Sequence, residues 1–268
     1  MEDILTTIVA HKRREIAAQK EAVDAAALAE ACDAAPAPRS MRKSLEQSAS
    51  GIIAEFKRRS PSKGWINRMA DPALVVSSYE QAGAGALSIL TDEKFFGGSL
   101  GDVRAARPLT ALPILRKDFV VDEYQLLQAR AVGADAVLLI AACLELQQCR
   151  RLAARAHELG LEVLLEIHRE EELEYVTPEM DMVGINNRNL GTFVTDVQNS
   201  FRLAARLRAR AEALERVPLL VSESGLADAA TVNALRRDGF RGFLIGETFM
   251  KTENPGQALS QFVAGIEA

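Results

Sequence analysis

Short apolar runs recur along this chain at intervals that leave room for a helix between most neighbours. The runs are Ile52–Phe56, Ala86–Leu90, Pro113–Arg116, Ala136–Ile140, Glu162–Ile167, Met182–Ile185, Pro218–Val221 and Gly242–Ile245. Helix-like stretches lie between them at Pro72–Ala82, Tyr124–Val132, Glu145–Leu159, Asn199–Leu214 and Ala227–Arg237. Gly83, Gly133, Gly160 and Gly239 each stand between a helix-like stretch and the next run, the position where glycine ends a helix. Strands alternating with helices argue for a parallel sheet covered by helices. Eight such units over roughly 220 residues fit a (β/α)8 TIM barrel, for which about 250 residues is typical. A doubly wound open sheet is the competing arrangement. It loses ground because neither G-x-G-x-x-G nor G-x-x-x-x-G-K-[ST] follows the first run.

Ahead of the barrel pattern, residues 2–30 are expected to form a helix. Ile4, Leu5, Ile8, Val9 and Ile16 make an apolar stripe, and Lys12, Arg13, Arg14 and Glu15 its polar part. Ala34–Ser40, with Pro36 and Pro38, breaks it. The predicted organisation is an N-terminal helical extension, 1–50, packed on a catalytic barrel, 51–268. With 48% apolar residues in 268, the chain can bury a large core. The formal net charge of -5 provides no global field for nucleic acid or an anionic membrane. Apolar runs such as Ala136–Leu144 are too short to span a bilayer, and no basic leader precedes an apolar core, so a cytoplasmic location is expected. The three cysteines, Cys32, Cys143 and Cys149, are scattered without CxxC spacing and fit reduced thiols. His11, His157 and His168 have no metal-ligand spacing, so nothing argues for a metal site.

Barrel enzymes of this type build their sites at the C-terminal ends of the strands. Six of the eight runs here end in charged or amide residues. Glu55 and Lys57, opposite in charge, share one face of the first strand; Phe56 and Arg58 take the other. The third run continues into Arg116-Lys117-Asp118-Phe119, and the fifth ends Glu166-Ile167-His168. The sixth leads to Asn186-Asn187-Arg188, the seventh to Ser222-Glu223-Ser224-Gly225, and the eighth to Gly246-Glu247. Any one of these alone reads as a solvated strand end. Converging on one rim, Glu55, Glu166, Glu223, Lys57, Lys117 and Asn186 suit proton transfer to and from a bound small molecule. A metal cage fits less well, because the lysines would compete for the carboxylates. Ser224-Gly225 and Gly246-Glu247 follow the strands whose loops frequently bind phosphate in such barrels. Glu247 fits an anion site only through its N–H, with its side chain turned away. His168 shares a face with Glu166, and its expected role is that of a hydrogen-bonded strand-end histidine, a residue type often half-buried without catalysing anything.

Several long segments, in order, resemble the indole-3-glycerol phosphate synthase family. They are Ile4–Lys20, Ala54-Glu55-Phe56-Lys57-Arg58-Arg59-Ser60-Pro61-Ser62-Lys63-Gly64, Ser88–Ser99 with Phe95, Leu115-Arg116-Lys117-Asp118-Phe119, Gly184–Leu190 and Ser222–Gly225. The resemblance runs along nearly the whole chain. It implies ring closure, decarboxylation and dehydration of 1-(2-carboxyphenylamino)-1-deoxyribulose 5-phosphate to indole-3-glycerol phosphate, with no cofactor and no metal. It makes Lys117 the general acid at the ribulose carbonyl and gives Glu166 the later proton transfers. Glu55 and Lys57 complete the catalytic group, and Asn186 and Glu223 hold the substrate hydroxyls. Ser60, Ser224, Gly225, Gly246 and Glu247 would surround the phosphate, Arg188 the substrate carboxylate. Phe95, Phe119 and Leu138 would hold the aromatic ring, with Ile140 more simply core. The loop Arg58–Gly64 becomes a flap over the substrate. The expected partner is the phosphorylated small molecule alone, with no nucleic acid and no membrane, on a monomer or weak dimer. Two rivals remain: a related isomerase, whose pattern wants a cysteine where Glu55 and Lys57 stand, and a non-catalytic barrel that binds a phosphorylated metabolite, which would be expected to have lost some of these acids and bases.

Overall fold

The computed structural model of the chain describes residues 4–189, 191, 194–211 and 217–267. Eight parallel strands close into a barrel in sequence order. They are β1 (Ile52–Phe56), β2 (Ala86–Leu90), β3 (Ile114–Lys117), β4 (Ala136–Ile140), β5 (Glu162–Ile167), β6 (Met182–Asn186), β7 (Leu219–Glu223) and β8 (Gly242–Ile245). Closure is made by β8 on β1, with Phe243 opposite Ile52. Five strands have the predicted bounds. The other three, β3, β6 and β7, run further, and the added residues include Lys117, Asn186 and Glu223. The parallel ladder pairs Leu90 with Lys117 and Asn186 with Glu223, so these side chains leave from sheet rather than from loop.

Alternation along the strands sorts side chains into two cores. Ile53, Leu115, Leu138, Leu164, Met182, Val221 and Leu244 fill the barrel interior. The opposite faces, with Ile52, Leu87, Leu139, Val163 and Phe243 among them, pack under the helices. Glu55, Lys117, Glu166 and Glu223 fall on the inward parity, above the interior layer.

The covering helices are α4 (Pro72–Gln81), α7 (Glu123–Val132), α8 (Leu146–Glu158), α9 (Gln198–Ala211), α10 (Ala229–Arg237) and α12 (Pro255–Val263), with short α5 (Glu93–Phe96), α6 (Leu100–Ala106) and α11 (Glu247–Met250) near strand ends. Gly133 caps α7 at φ 88°, where a side chain would be strained; Gly83, Gly160 and Gly239 share the left-handed region. Of the expected helix 199–214, residues 212–214 lie outside the described residues, as do 2–3 and 268. Between β5 and β6 the chain forms only a 3-10 turn, Glu170–Tyr175.

The N-terminal segment departs from the single helix expected over 2–30. It forms α1 (Ile4–Ala22) and α2 (Ala25–Ala34), divided at Asp24, whose side chain accepts the Ala26 N–H and starts a new helix. A third helix, α3 (Met41–Gln47), follows the proline break. Its periodicity is too brief to detect, with only Met41 and Leu45 apolar over two turns. Those two residues join the interior cluster and close the bottom of the barrel. Ser40 and Arg42 dock onto Glu162, and Arg42 also reaches the Asp181 and Val217 carbonyls, at the starts of strands.

Candidate active site

At the opposite, C-terminal mouth of the barrel lies a cavity of about 330 Å³. The ends of most strands line it, and Ile4, Leu5 and Ile8 of α1 lean over its edge. The N-terminal helices thus touch both ends of the barrel.

Lys117 occupies the centre of the charged group. Its Nζ lies 3.3 Å from Glu166 Oε2 and 3.7 Å from Glu223 Oε2. Burial disfavours its charge, but the carboxylates of Glu166, Glu223 and Glu55 outweigh burial and hold its pKa above the usual lysine value. Glu166 feels the converse. Burial pushes it up, and Lys117, His168 and the Asn186 amide pull it further down, so it is anionic. Asn186 Nδ2 donates to Glu166 Oε1 at 3.0 Å. Glu223 goes the other way: burial and the negative charge of Glu166 push its carboxyl up to about 8 despite Lys117. Two carboxyls beside one ammonium therefore differ in protonation, the pattern of an acid–base site.

Glu55 and Lys57 pair across the same face of β1, Nζ to Oε1 at 2.7 Å. Arg58 turns the other way, stacking on Phe56 at 4.7 Å and bridging to Asp102. Two glycines make room for the carboxylates. A Cβ at Gly184 would collide with Glu223 Oε1, and one at Gly246 would lie 2.5 Å from Glu55 Oε1. Gly184 opens one of the family-like segments, but the sequence assigned it no role. Its signal is a gap in an otherwise bulky strand.

The remaining expected residues divide. Ser60, Phe119, Leu138, Arg188, Ser224, Gly225, Gly246 and Glu247 all line the cavity. Phe95 does not. Successive helix residues are about 100° apart, so in α5 Phe95 turns to His11 at 5.7 Å, and Phe96 faces Phe119 at 5.9 Å and lines the cavity instead. Ile140 lines it too, beside Leu138. Ser224 adopts φ 69° and Gly225 φ 76°, an unusual backbone reversal at the end of β7. The Glu247 side chain does not turn away from the site: its carboxylate lies 3.8 Å from Arg188 and 4.0 Å from Lys63. Arg188 also donates to Ser62 Oγ at 2.9 Å, tying the β1 loop across the mouth. Lys251, not anticipated, borders the same end of the cavity.

A second network stands behind the first. Lys12 of α1 is fully buried, 2.9 Å from Asp92 and 3.1 Å from Asp118. Asp118 also takes Arg116 at 2.9 Å and the Thr91 hydroxyl at 2.6 Å. These partners overcome burial and hold its carboxyl down at about 2. The amphipathic pattern placed Lys12 on a polar face because the charges it meets come from β2 and β3.

A closed eight-stranded parallel barrel with its charged side chains gathered at the C-terminal rim defines a (β/α)8 barrel protein. Solved structures with the same fold include chains of the tryptophan synthase α2β2 complex from Pyrococcus furiosus (TM-score 0.58, 15% identity, 82% of this chain and 99% of that one) and tryptophan synthase subunit alpha from Legionella pneumophila (TM-score 0.59, 12% identity, 84% and 96%). Sequence relatives carry the name indole-3-glycerol phosphate synthase. One from Bacteroides thetaiotaomicron is 61% identical over 267 residues, covering 100% of both chains. Another from Azoarcus is 45% identical over 264 residues, covering 97% of this chain and 98% of its own. The family model for indole-3-glycerol phosphate synthase matches residues 5–262. The chain belongs to the indole-3-glycerol phosphate synthase family, and its function is that carboxy-lyase step of tryptophan biosynthesis.

Proposed function

We propose that the chain converts 1-(2-carboxyphenylamino)-1-deoxyribulose 5-phosphate to indole-3-glycerol phosphate with Lys117 as the principal acid. The observation that carries this reading is the Lys117 ammonium enclosed by Glu166 and Glu223 above the barrel interior. Held protonated, Lys117 donates to the ribulose carbonyl oxygen as the aromatic carbon attacks, and its charge stabilises the oxygen as negative charge develops. Loss of carbon dioxide restores the ring's aromaticity. Anionic Glu166 then takes a proton during dehydration, with Lys57, paired to Glu55, supplying acid to the departing hydroxyl. Asn186 and Glu223 hold substrate hydroxyls; protonated Glu223 does so as a donor.

Ser60, Ser224, Gly225, Gly246 and the Glu247 N–H take the phosphate, with Lys63 and Lys251 near that end. Arg188 takes the substrate carboxylate, exchanging Glu247 for it. Phe119, Leu138 and Phe96 enclose the aromatic ring. Binding energy from the phosphate, remote from the reacting carbons, folds the flexible ribulose chain into a reactive shape. Residues 1–50 serve as an extension packed on a barrel of 51–268. The chain acts as a monomer or weak dimer in the cytoplasm, where scattered cysteines such as the buried Cys32 and Cys149 stay reduced. No helix among the described residues is long and apolar enough to cross a membrane.

Purified protein given the substrate without added metal should produce fluorescent indole product. Lys117→Met should lower kcat by about 10²–10⁴-fold while substrate still binds through its phosphate. Wild-type protein that binds substrate yet never turns it over would favour the non-catalytic barrel. Near-normal turnover by Lys117→Met would remove Lys117 from its role.

A further inference from the structure

The sequence makes His168 a hydrogen-bonded histidine at the end of β5, and its surroundings give it more to do. Its side chain is only 7% exposed, and a carboxylate faces each ring nitrogen. Nε2 lies 3.2 Å from Glu166 Oε1, and Nδ1 lies 3.7 Å from Glu172 Oε2. A neutral imidazole has one N–H and one lone pair, so it would turn a lone pair toward one of these anions. Only the imidazolium presents N–H on both sides. These are ionic contacts rather than aligned hydrogen bonds.

Glu172 is held for this purpose by its own neighbours. The His168 backbone N–H donates to its Oε2 at 2.6 Å, and Arg169 Nε donates to its Oε1 at 3.1 Å. This geometry needs the 3-10 turn Glu170–Tyr175, which folds the chain back where a barrel helix would carry it away. Asn199 fixes the other side by donating to the His168 and Asn186 carbonyl oxygens at 3.1 and 3.2 Å.

We propose that His168 is a positioning residue for the reaction: as an imidazolium clamped by Glu172, it fixes Glu166 Oε1 and keeps that carboxylate ionised while Lys117 engages Oε2. This rests on the reading of Glu166 as a proton acceptor. The chain Glu172–His168–Glu166–Lys117 alternates in sign and joins β5 to β3 through buried groups. Without the imidazolium, Glu166 would retain one cation and compete with Glu223 for a proton. Burial opposes charge on His168, but Glu166 and Glu172 overcome it and push its pKa up to about 9. The other charged groups around it are Arg169 on its own loop, Lys117 of β3, Arg188 after β6, Glu223 of β7, and Asp196 and Arg202, which border the adjoining cavity.

Two measurements decide the matter. Ring-nitrogen NMR of the wild-type protein, assigned with the help of His11→Gln and His157→Gln, should find His168 doubly protonated at neutral pH. A midpoint at or below about 6.5, the free-imidazole value, would overturn the proposal. Second, His168→Asn and Glu172→Gln should each shift the acidic limb of the kcat/KM profile upward by about one pH unit or more. Substrate KM should stay within about threefold while kcat falls. A folded variant with an unmoved acidic limb sinks the idea, and if His168→Asn does not fold, the Glu172→Gln profile and the NMR titration decide it. Glu166→Gln serves as the control. Near-normal turnover there removes the role of Glu166, and with it this inference. A crippled Glu166→Gln beside an unchanged His168→Asn profile removes this inference alone.

Discussion

Among single residues, the protonation of Glu223 is the least expected feature. Sequence places Glu223 and Glu166 at equivalent strand ends, yet burial and the charge of Glu166 push Glu223 up to about 8 while Glu166 stays anionic. A folded-state pKa raised above 4.5 means that the native state keeps a proton the unfolded chain has lost. Between about pH 4.5 and 8 this group's contribution therefore weakens stability as pH rises. Glu223→Gln, which mimics the protonated form, should flatten that decline. Urea unfolding of variant and wild type at pH 5, 6, 7 and 8 would show their difference in stability growing in the variant's favour; a constant difference would refute the raised pKa. The types of the site residues were legible because strand parity alone puts Glu55 beside Lys57 and turns Arg58 away. Charge states were not, since they depend on separations of 3–4 Å between different strands. Phe95 shows the same limit at a smaller step, because helix rotation in α5 gave the cavity to Phe96.

At the level of elements, α1 has more to do than cover a surface. Its stripe of Ile4, Leu5 and Ile8 reaches the cavity edge, and Lys12 locks the helix to Asp92 and Asp118 at the ends of β2 and β3. Asp118 adjoins Lys117, so the anchor of the helix is also a brace for the strand that carries Lys117. Lys12→Met should cost about 3–5 kcal/mol of stability, the usual penalty for leaving buried carboxylates without their cation. Chemical unfolding would measure this, and a loss under about 1 kcal/mol would mark the pair as incidental. Helices with long periodic patterns, such as α8, were readable from sequence. The break at Asp24 and the short α3 were not, because a cap needs only one side chain and two turns carry too few apolar residues to show a period.

For the molecule as a whole, the barrel is closed below by α3 and bordered above by α1. Leu45 is 1% exposed and packs with Ile53, Ala86 and Val221 inside the barrel. Leu45→Ala should lower stability by about 2–5 kcal/mol, seen as an earlier urea midpoint, with little direct effect on a site at the other mouth. An equal loss of kcat in fully folded protein would show that the two ends are coupled. The number of strands, their order and the rim at which the charged strand-end residues gather followed from sequence alone, because strand periodicity and helix-ending glycines are local signals. Which charges meet did not. Lys117 and Glu166 stand 49 residues apart, and Lys12 joins β2 and β3 from outside the barrel. Those pairings, the protonation of Glu223 and the clamp on His168 depend on through-space distance and burial, and only the closed barrel determines either.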